Sequence, residues 1–426
     1  MIAVFSPLRH RPSVPIAGAR RTDGYIHRVT DLETTVLVLA GALILAPLLA
    51  RGLRRWVAIP VIVFELLLGI VAGPSVLGWI EPSDALGLIA QLGVGLLFFM
   101  AGTEIDPAVM RGRLGRRAWG GWLLSFVLGL AIGALLAPGL GAVIIAIALS
   151  STALGTLLPI LRDNGDLQTP FGLSVGAVGA VGEFGPIIAI SLLLGTHTPG
   201  VALVVLIVFG LIAAALIWFA ALIPRGQLHR FVEATLHTSG QFGVRLVLGI
   251  LLALVVASAV LGVDTLLGAF TAGILWRALI SDADPATAEA VESKVEGLAF
   301  GFGVPVFFIA TGVGFDLRAL LDQPVTLLLV PAAAVLLLVV RGLPASLAAP
   351  DGADLRMRGA VGVMGATGLP IIIVTTGHGV DLGLITPIAA TVLVGAGMLS
   401  VLLFPLLAGA LRKGSGTANE PAPATA

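Results

Sequence analysis

Cysteine is absent from this 426-residue chain, which excludes disulfides, thiol catalysis and thiolate-held metals. Charge is almost as scarce. Only 11% of residues are Asp, Glu, Lys or Arg, and 24 basic against 24 acidic side chains give a net charge of zero. A soluble domain of this size needs far more charge to cover its surface. A neutral chain also gives no electrostatic case for binding nucleic acid. What the chain does have is apolar: 58% of its residues are hydrophobic and its mean hydropathy is +1.07. Apolar runs of about 20 residues recur along nearly its whole length, which reads as an all-α polytopic membrane protein. The 55 glycines suit that class, because small residues let membrane helices approach closely.

About thirteen spans are expected, at residues 34–51, 58–78, 85–104, 117–137, 141–161, 170–194, 199–224, 241–262, 264–280, 297–315, 324–345, 359–378 and 384–411. Numbering the loops alternately puts seventeen basic residues, from Arg51 to Lys413, on one side and only Arg318 on the other. The positive-inside rule makes the basic side cytoplasmic, with the C-terminus inside and the N-terminus outside. Residues 1–33 form a basic tail that conflicts with its expected translocation. It lacks the apolar core of a signal peptide and is expected to be disordered. Residues 34–411 form the transmembrane domain, and 412–426 a second disordered tail rich in Gly, Ser, Pro and Ala.

One residue stands out against this apolar background. Glu183 is the single ionisable side chain between Pro170 and Leu194. A carboxylate at that depth costs several kcal/mol unless it binds something, so it marks a functional site. Gly176, Gly179, Gly182 and Gly185 recur every third residue, and Glu183 shares the face of Gly176 and Gly179. The carboxylate therefore points where another helix can come close. Pro186 offers no N–H to the carbonyl of Gly182. A freed carbonyl beside a carboxylate suits a hard cation. The alternative is a packing kink holding a protonated structural Glu. A phosphate-binding glycine loop is excluded, because the run lies inside an apolar span rather than between a strand and a helix start.

Arg341 ends the apolar run from Leu327 to Val340. It either snorkels to the cytoplasmic surface or serves as a fixed counter-charge near the carboxylate. Two segments carry helix breakers flanked by hydroxyls. One runs from Ser150, Ser151 and Thr152 to Pro159, the other from Gly365 through Thr367 to Pro370. Paired interrupted helices in corresponding halves of a chain point to a transporter site, because their broken ends expose dipoles and carbonyls at mid-membrane depth. Other polar residues signal less. Glu65 reads as a dimer-interface or lipid-boundary acid, with a second buried acid as the alternative, and Glu104, Asp106, Asp163 and Asp166 as solvated. Gln91 reads as a bond to a neighbouring helix, and His378 as a surface histidine able to sense pH.

Four strings then carry a resemblance: Leu96 to Asp106 (LLFFMAGTEID), Ala148 to Ala153 (ALSSTA), Leu267 to Gly273 (LGAFTAG) and Pro305 to Gly312 (PVFFIATG). In this order the chain resembles the monovalent cation:proton antiporters of the Kef and NapA type over nearly all of residues 34–411. The resemblance implies inverted repeats, a core domain with two crossed discontinuous helices around Thr152 and Thr367, a dimerisation domain, a homodimer, and alternating access by sliding of the core. It departs at the site. Family members commonly carry two adjacent acidic, or amide and acidic, residues where this chain has Gly182 and Glu183. A Lys is common where it has Arg341. Arginine is essentially never deprotonated, so it cannot carry the proton.

The mechanism expected is competition at one site made of Glu183, Ser151, Thr152, Gly182 and Thr367, with Arg341 as counter-charge and no cofactor. Desolvation disfavours a charged acid and a bound cation favours it, so H⁺ and Na⁺ or K⁺ exclude each other. One carboxylate and a permanent positive charge imply one-for-one, electroneutral exchange. The main alternative is a sodium-coupled symporter of an organic anion, for which the four hydroxyls Ser150, Ser151, Thr152 and Thr367 offer few contacts. A gated channel is a further alternative. A membrane hydrolase is disfavoured, because no zinc or aspartyl-protease motif occurs and the serines lack an evident histidine base.

Overall fold

A computed structural model describes residues 21–53, 59–105, 107–195, 197–222, 241–280, 285–322 and 324–413. The described residues are helical and contain no strand. Among the described residues, ten helices are long and apolar enough to cross a membrane. A bent pair, Leu355–Gly365 and Pro370–Asp381, makes an eleventh, and two shorter apolar helices, Val61–Ala72 and Thr265–Ile280, lie within expected spans. The N-terminal tail, expected to end at 33, enters the first helix at Arg21. Residues 1–20 and 414–426 lie outside the described residues, as do Arg54, Arg55, Asp106, Arg225 and Arg230 and the side chain of Asp163.

In chain order the principal helices are α1 (Arg21–Leu53), α2 (Val61–Ala72), α3 (Asp84–Thr103), α4 (Arg113–Leu136), α5 (Leu140–Ser150), α6 (Leu154–Asp163), α7 (Pro170–Leu193) and α8 (Pro199–Leu222). They continue with α9 (Phe242–Leu261), α10 (Thr265–Ile280), α11 (Pro285–Leu298), α12 (Val304–Val313), α13 (Pro324–Leu337), α14 (Leu355–Gly365), α15 (Pro370–Asp381) and α16 (Pro387–Lys413). They pack as two groups. One contains α1, α2, α3, α9, α10 and α12; the other contains α4 to α7 and α13 to α16. Glycine sets the closest approach within the first group. A Cβ on Gly102 would lie 3.1 Å from the Cα of Gly273, and one on Gly273 would lie 2.9 Å from the Cα of Gly102. Only bare backbones let α3 and α10 cross there.

Proline shapes the helices that carry the site. π-helical turns occupy Ala299–Gly303 and Leu338–Gly342, and each ends two residues before a proline, Pro305 and Pro344. A ring that cannot donate to the carbonyl four residues back favours such a widened turn, a feature that recurs at functional sites. The second of them carries Arg341.

Several surface expectations are corrected by packing. Asp166 is buried and accepts a two-pronged hydrogen bond from Arg412, one arm at 2.7 Å. The Arg412 guanidinium also lies 4.3 Å from the centroid of Phe171. Arg412, expected in the disordered tail, is therefore the last anchor of α16. Glu65 is buried within the chain rather than set at its margin, and Gln91 is exposed. Glu104, by contrast, is exposed as expected and sits 3.8 Å from Arg162. Breaking a buried ion pair from one side leaves the other charge stranded. Asp166→Ala is thus expected to destabilise the protein by about 3 kcal/mol, read as a lower thermal unfolding midpoint in detergent, with no change in cation affinity.

Candidate functional site

The two interrupted spans meet in the second group. The helix of the first stops at Ser150 and restarts at Leu154; the helix of the second stops at Gly365 and restarts at Pro370. Short polar residues and glycine cannot sustain a helix where their own side chains compete for the backbone. The freed backbone groups find partners across the crossing. Ala153 donates its N–H to the Thr367 carbonyl at 2.8 Å, and Thr152 donates to the Gly182 carbonyl at 2.9 Å. The Thr152 hydroxyl donates to the Gly365 carbonyl at 2.5 Å. The crossing is thereby stitched to itself and to α7.

This arrangement revises the part assigned to Gly182. Its carbonyl, expected to face a cation, instead receives the Thr152 amide. A Cβ at this position would come within 2.6 Å of Arg341 Nη2 and would also strike the Thr152 side chain. Position 182 is glycine because Thr152 and Arg341 fill the space a side chain would need.

Arg341 does not reach the surface. It is fully buried, with Nε donating to Thr152 Oγ1 at 2.9 Å and Nη2 to the Val178 carbonyl at 2.9 Å. Through Thr152 its charge is linked to the carbonyl end of α14. A helix C-terminus carries roughly half a negative charge, so the guanidinium is balanced by backbone dipoles. It makes no ion pair with Glu183, and its Nη1 has no protein partner.

Glu183 is buried, with 1% of its surface exposed. Its Oε1 accepts the N–H of Gly155 at 3.4 Å. Gly155 lies in the first turn of α6, so the carboxylate faces a helix N-terminus, where anions are favoured. A Cβ on Gly179 would abut Leu154. Gly179 and Glu183 therefore share the face that receives α6, as their spacing predicts. Gly176, on the same stripe, has nothing within 4 Å of a Cβ built on it.

Buried polar atoms without a protein partner concentrate here. Among the described residues they include Glu183 Oε2, Thr156 Oγ1, Thr367 Oγ1, Arg341 Nη1 and Trp122 Nε1. Trp122 lies on α4 against Gly185. Thr156 and Trp122 are the residues that sequence reasoning missed. A signal for Thr156 was available in principle: it is a hydroxyl in the first helical turn after a break, where orphan backbone donors collect. Ser151 behaves differently, because its hydroxyl donates to the Ala148 carbonyl at 2.8 Å on its own helix.

A cavity of about 300 Å³ approaches this cluster between the two groups of helices. Ile105, Phe270 and Ile274 line it on one side and Trp119, Ala180, Val181 and Phe184 on the other. Phe184 follows Glu183 directly and stacks on Phe270, with ring centroids 5.3 Å apart. The edge of Trp119 closes on Phe184 at 6.2 Å. The three rings line the cavity, and Phe184 is the chain neighbour of the carboxylate residue.

Comparison with known proteins places this geometry. The profile described as sodium/hydrogen exchanger, transmembrane, matches residues 39–410. The Na(+)/H(+)-K(+) antiporter GerN of Bacillus cereus is 29% identical over 351 residues, covering 77% of this chain and 86% of GerN. Cation/H(+) antiporter 18 of Arabidopsis thaliana is 31% identical over 306 residues, covering 65% of this chain and 36% of the plant protein. The chain spans 52% of the length of a further relative from Bacillus subtilis. The sodium proton antiporter MjNhaP1 from Methanocaldococcus jannaschii shares the fold, with a TM-score of 0.65, 18% identity, and coverage of 89% of this chain and 99% of that one.

Proposed function

Because the chain belongs to the sodium/hydrogen exchanger family, a family of multi-pass membrane transporters rather than enzymes, we propose that it exchanges Na⁺ or K⁺ for H⁺ by competition at Glu183. The observation that carries this reading is Glu183 Oε2, a buried carboxylate oxygen with no protein partner, held where two broken helices cross. A buried charge is tolerated only when something neutralises it. A proton and an alkali ion can each do so, and the same oxygen cannot hold both. Thr156 and Thr367 add hydroxyl oxygens of the kind an alkali ion needs in place of its water. Ser151 and Thr152 shape the crossing, and Arg341 fixes a positive charge that never leaves.

Exchange is then one-for-one and electroneutral, since a single acid changes its occupant. The basic side of the bundle is cytoplasmic and holds the C-terminus, with the N-terminus opposite. The aromatic-lined cavity, which includes Arg111, opens to that basic side. A second copy completes a homodimer, as the family resemblance implies. The name of GerN supports Na⁺ and K⁺ together as candidate cargo. The relatives are named antiporters, and the sodium-coupled symporter alternative finds no support among them.

Purified protein in liposomes tests the reading. Each alkali cation is added to vesicles holding an acid interior, and proton efflux is followed with a pH dye. At least Na⁺ or K⁺ should drive efflux, at a net driving force independent of an imposed membrane potential. Failure with every alkali cation would overturn exchange; a strong dependence on potential would overturn electroneutrality alone.

A further inference from the structure

At the end of the seam away from the cavity, Asp264 joins the two helix groups. It lies in the link between α9 and α10, in the first group. Its backbone N–H donates to Ser191 Oγ on α7 at 3.3 Å. Its Oδ1 caps the first turn of α10 by accepting the N–H of Leu266 at 2.8 Å. Its Oδ2 stands 4.0 Å from Nδ1 of His378 on α15, with 9% of the Asp264 side chain and 44% of the His378 side chain exposed. Both α7 and α15 belong to the site-bearing group. Phe270 and Ile274, which line the cavity, lie six and ten residues further along α10. At 1.5 Å per residue this is about 9 and 15 Å toward the other face.

We infer that Asp264 and His378 form a charge-dependent clasp, which holds this end of the seam shut when His378 carries a proton and so leaves Glu183 in communication with the cavity side alone. The inference rests on the exchange reading for its consequence, since an exchanger must close one side while the other is open, but not for the clasp itself. The groups facing Asp264 are few. Ser191 comes from α7, the Leu266 amide from α10 and His378 from α15. Nearby, His197 Nε2 meets the Leu261 carbonyl at 3.2 Å, and exposed Asp381 lies one turn beyond His378. Asp264 is nearly buried, and among the described residues His378 is the one charged group within ion-pair distance of it. A proton on the imidazole therefore supplies a counter-charge to Asp264 that no other described residue is placed to supply. Without it, closure buries an uncompensated carboxylate, which is costly.

The absence of cysteine gives a direct test. Val263, beside Asp264, is buried. In Val263→Cys, labelling by a membrane-impermeant maleimide from that side reports opening of the seam without any need for transport. At one mildly alkaline pH, labelling should be on the order of fivefold faster with His378→Gln than with His378→Lys, and Asp264→Asn should remove the difference. Acidification should slow labelling of Val263→Cys more than of Val263→Cys with His378→Lys, where only the thiol's own chemistry changes. Equal labelling in the Gln and Lys backgrounds overturns the clasp, whatever the exchange assay gives. A protein that labels as expected but moves no alkali ion keeps the clasp and loses the exchange reading. Leu266→Cys, buried in the first turn of α10, serves the same measurement should Val263→Cys fail to reach the membrane.

Discussion

Glu183→Gln is expected to abolish cation-driven proton release, with exchange falling at least ~100-fold, to the level of empty vesicles, while the protein reaches the membrane in normal amounts. The amide is nearly isosteric and its oxygen can still accept the Gly155 N–H, which holds Glu183 at 3.4 Å. The packing of α6 against α7 should survive. Replacing a buried ionisable group by a neutral one of equal volume is often neutral or stabilising, so lost folding is not the expected cause of lost transport. What glutamine cannot do is bind and release a proton or offer a full negative charge to a cation. Glu183→Asp sharpens the test. It keeps the acid but shortens the side chain by one methylene, about 1.5 Å. Exchange should persist with a weaker apparent cation affinity. Unchanged exchange in Glu183→Gln would remove Glu183 from the mechanism.

Much of this site was legible from the chain because membranes make the signal simple. An ionisable residue inside an apolar run has few innocent explanations, so Glu183 and Arg341 stood out by contrast alone. The breaks at Ser151 and Gly368 were visible because Gly, Pro and short hydroxyl residues interrupt helices for local reasons. The contacts that assemble those pieces were not visible. Nothing in the spacing of Gly182 and Pro186 says that the Gly182 carbonyl receives an amide from Thr152. Nor does local pattern reveal that Asp166 meets Arg412, 246 residues away, and so a loop acid was read as solvated. Hydropathy marks 58–78 as a span, whereas the helix there runs only Val61–Ala72, because the apolar residues after it belong to a turn; in 264–280 the helix fills nearly the whole stretch, Thr265–Ile280. The hydroxyls of Thr156 and Ser151 look alike in sequence. In the structure one is back-bonded to its own helix and the other has no protein partner.

Removing Arg341 is the second large effect. Truncation to alanine takes away donors to Thr152 Oγ1 and the Val178 carbonyl and leaves a void among fully buried side chains. Each hydrogen bond lost from a charged donor costs about 1.5–3 kcal/mol, and emptying a large buried site adds about 2–5 kcal/mol. Against this, the several kcal/mol spent on desolvating the guanidinium are recovered. The losses should win, because the carbonyl end of α14 then faces the crossing without a positive charge. The expected net is a loss of about 3 kcal/mol, seen as a lower unfolding midpoint together with lost exchange. Arg341→Lys separates charge from geometry. A single ammonium reaches either Thr152 or Val178 but not both, so exchange should survive at a reduced rate. Lysine differs in a second way, since it can lose its proton when buried and arginine essentially cannot. If cation entry drives a proton off Lys as well as off Glu183, two positive charges leave for each that enters. Exchange by Arg341→Lys would then depend on an imposed membrane potential where the parent does not. Proteoliposomes clamped at two potentials decide it. If both proteins ignore the potential, the lysine stays charged throughout the cycle. If both respond to it equally, a group other than residue 341 sets the stoichiometry, and the permanent charge of Arg341 is not what makes the exchange electroneutral.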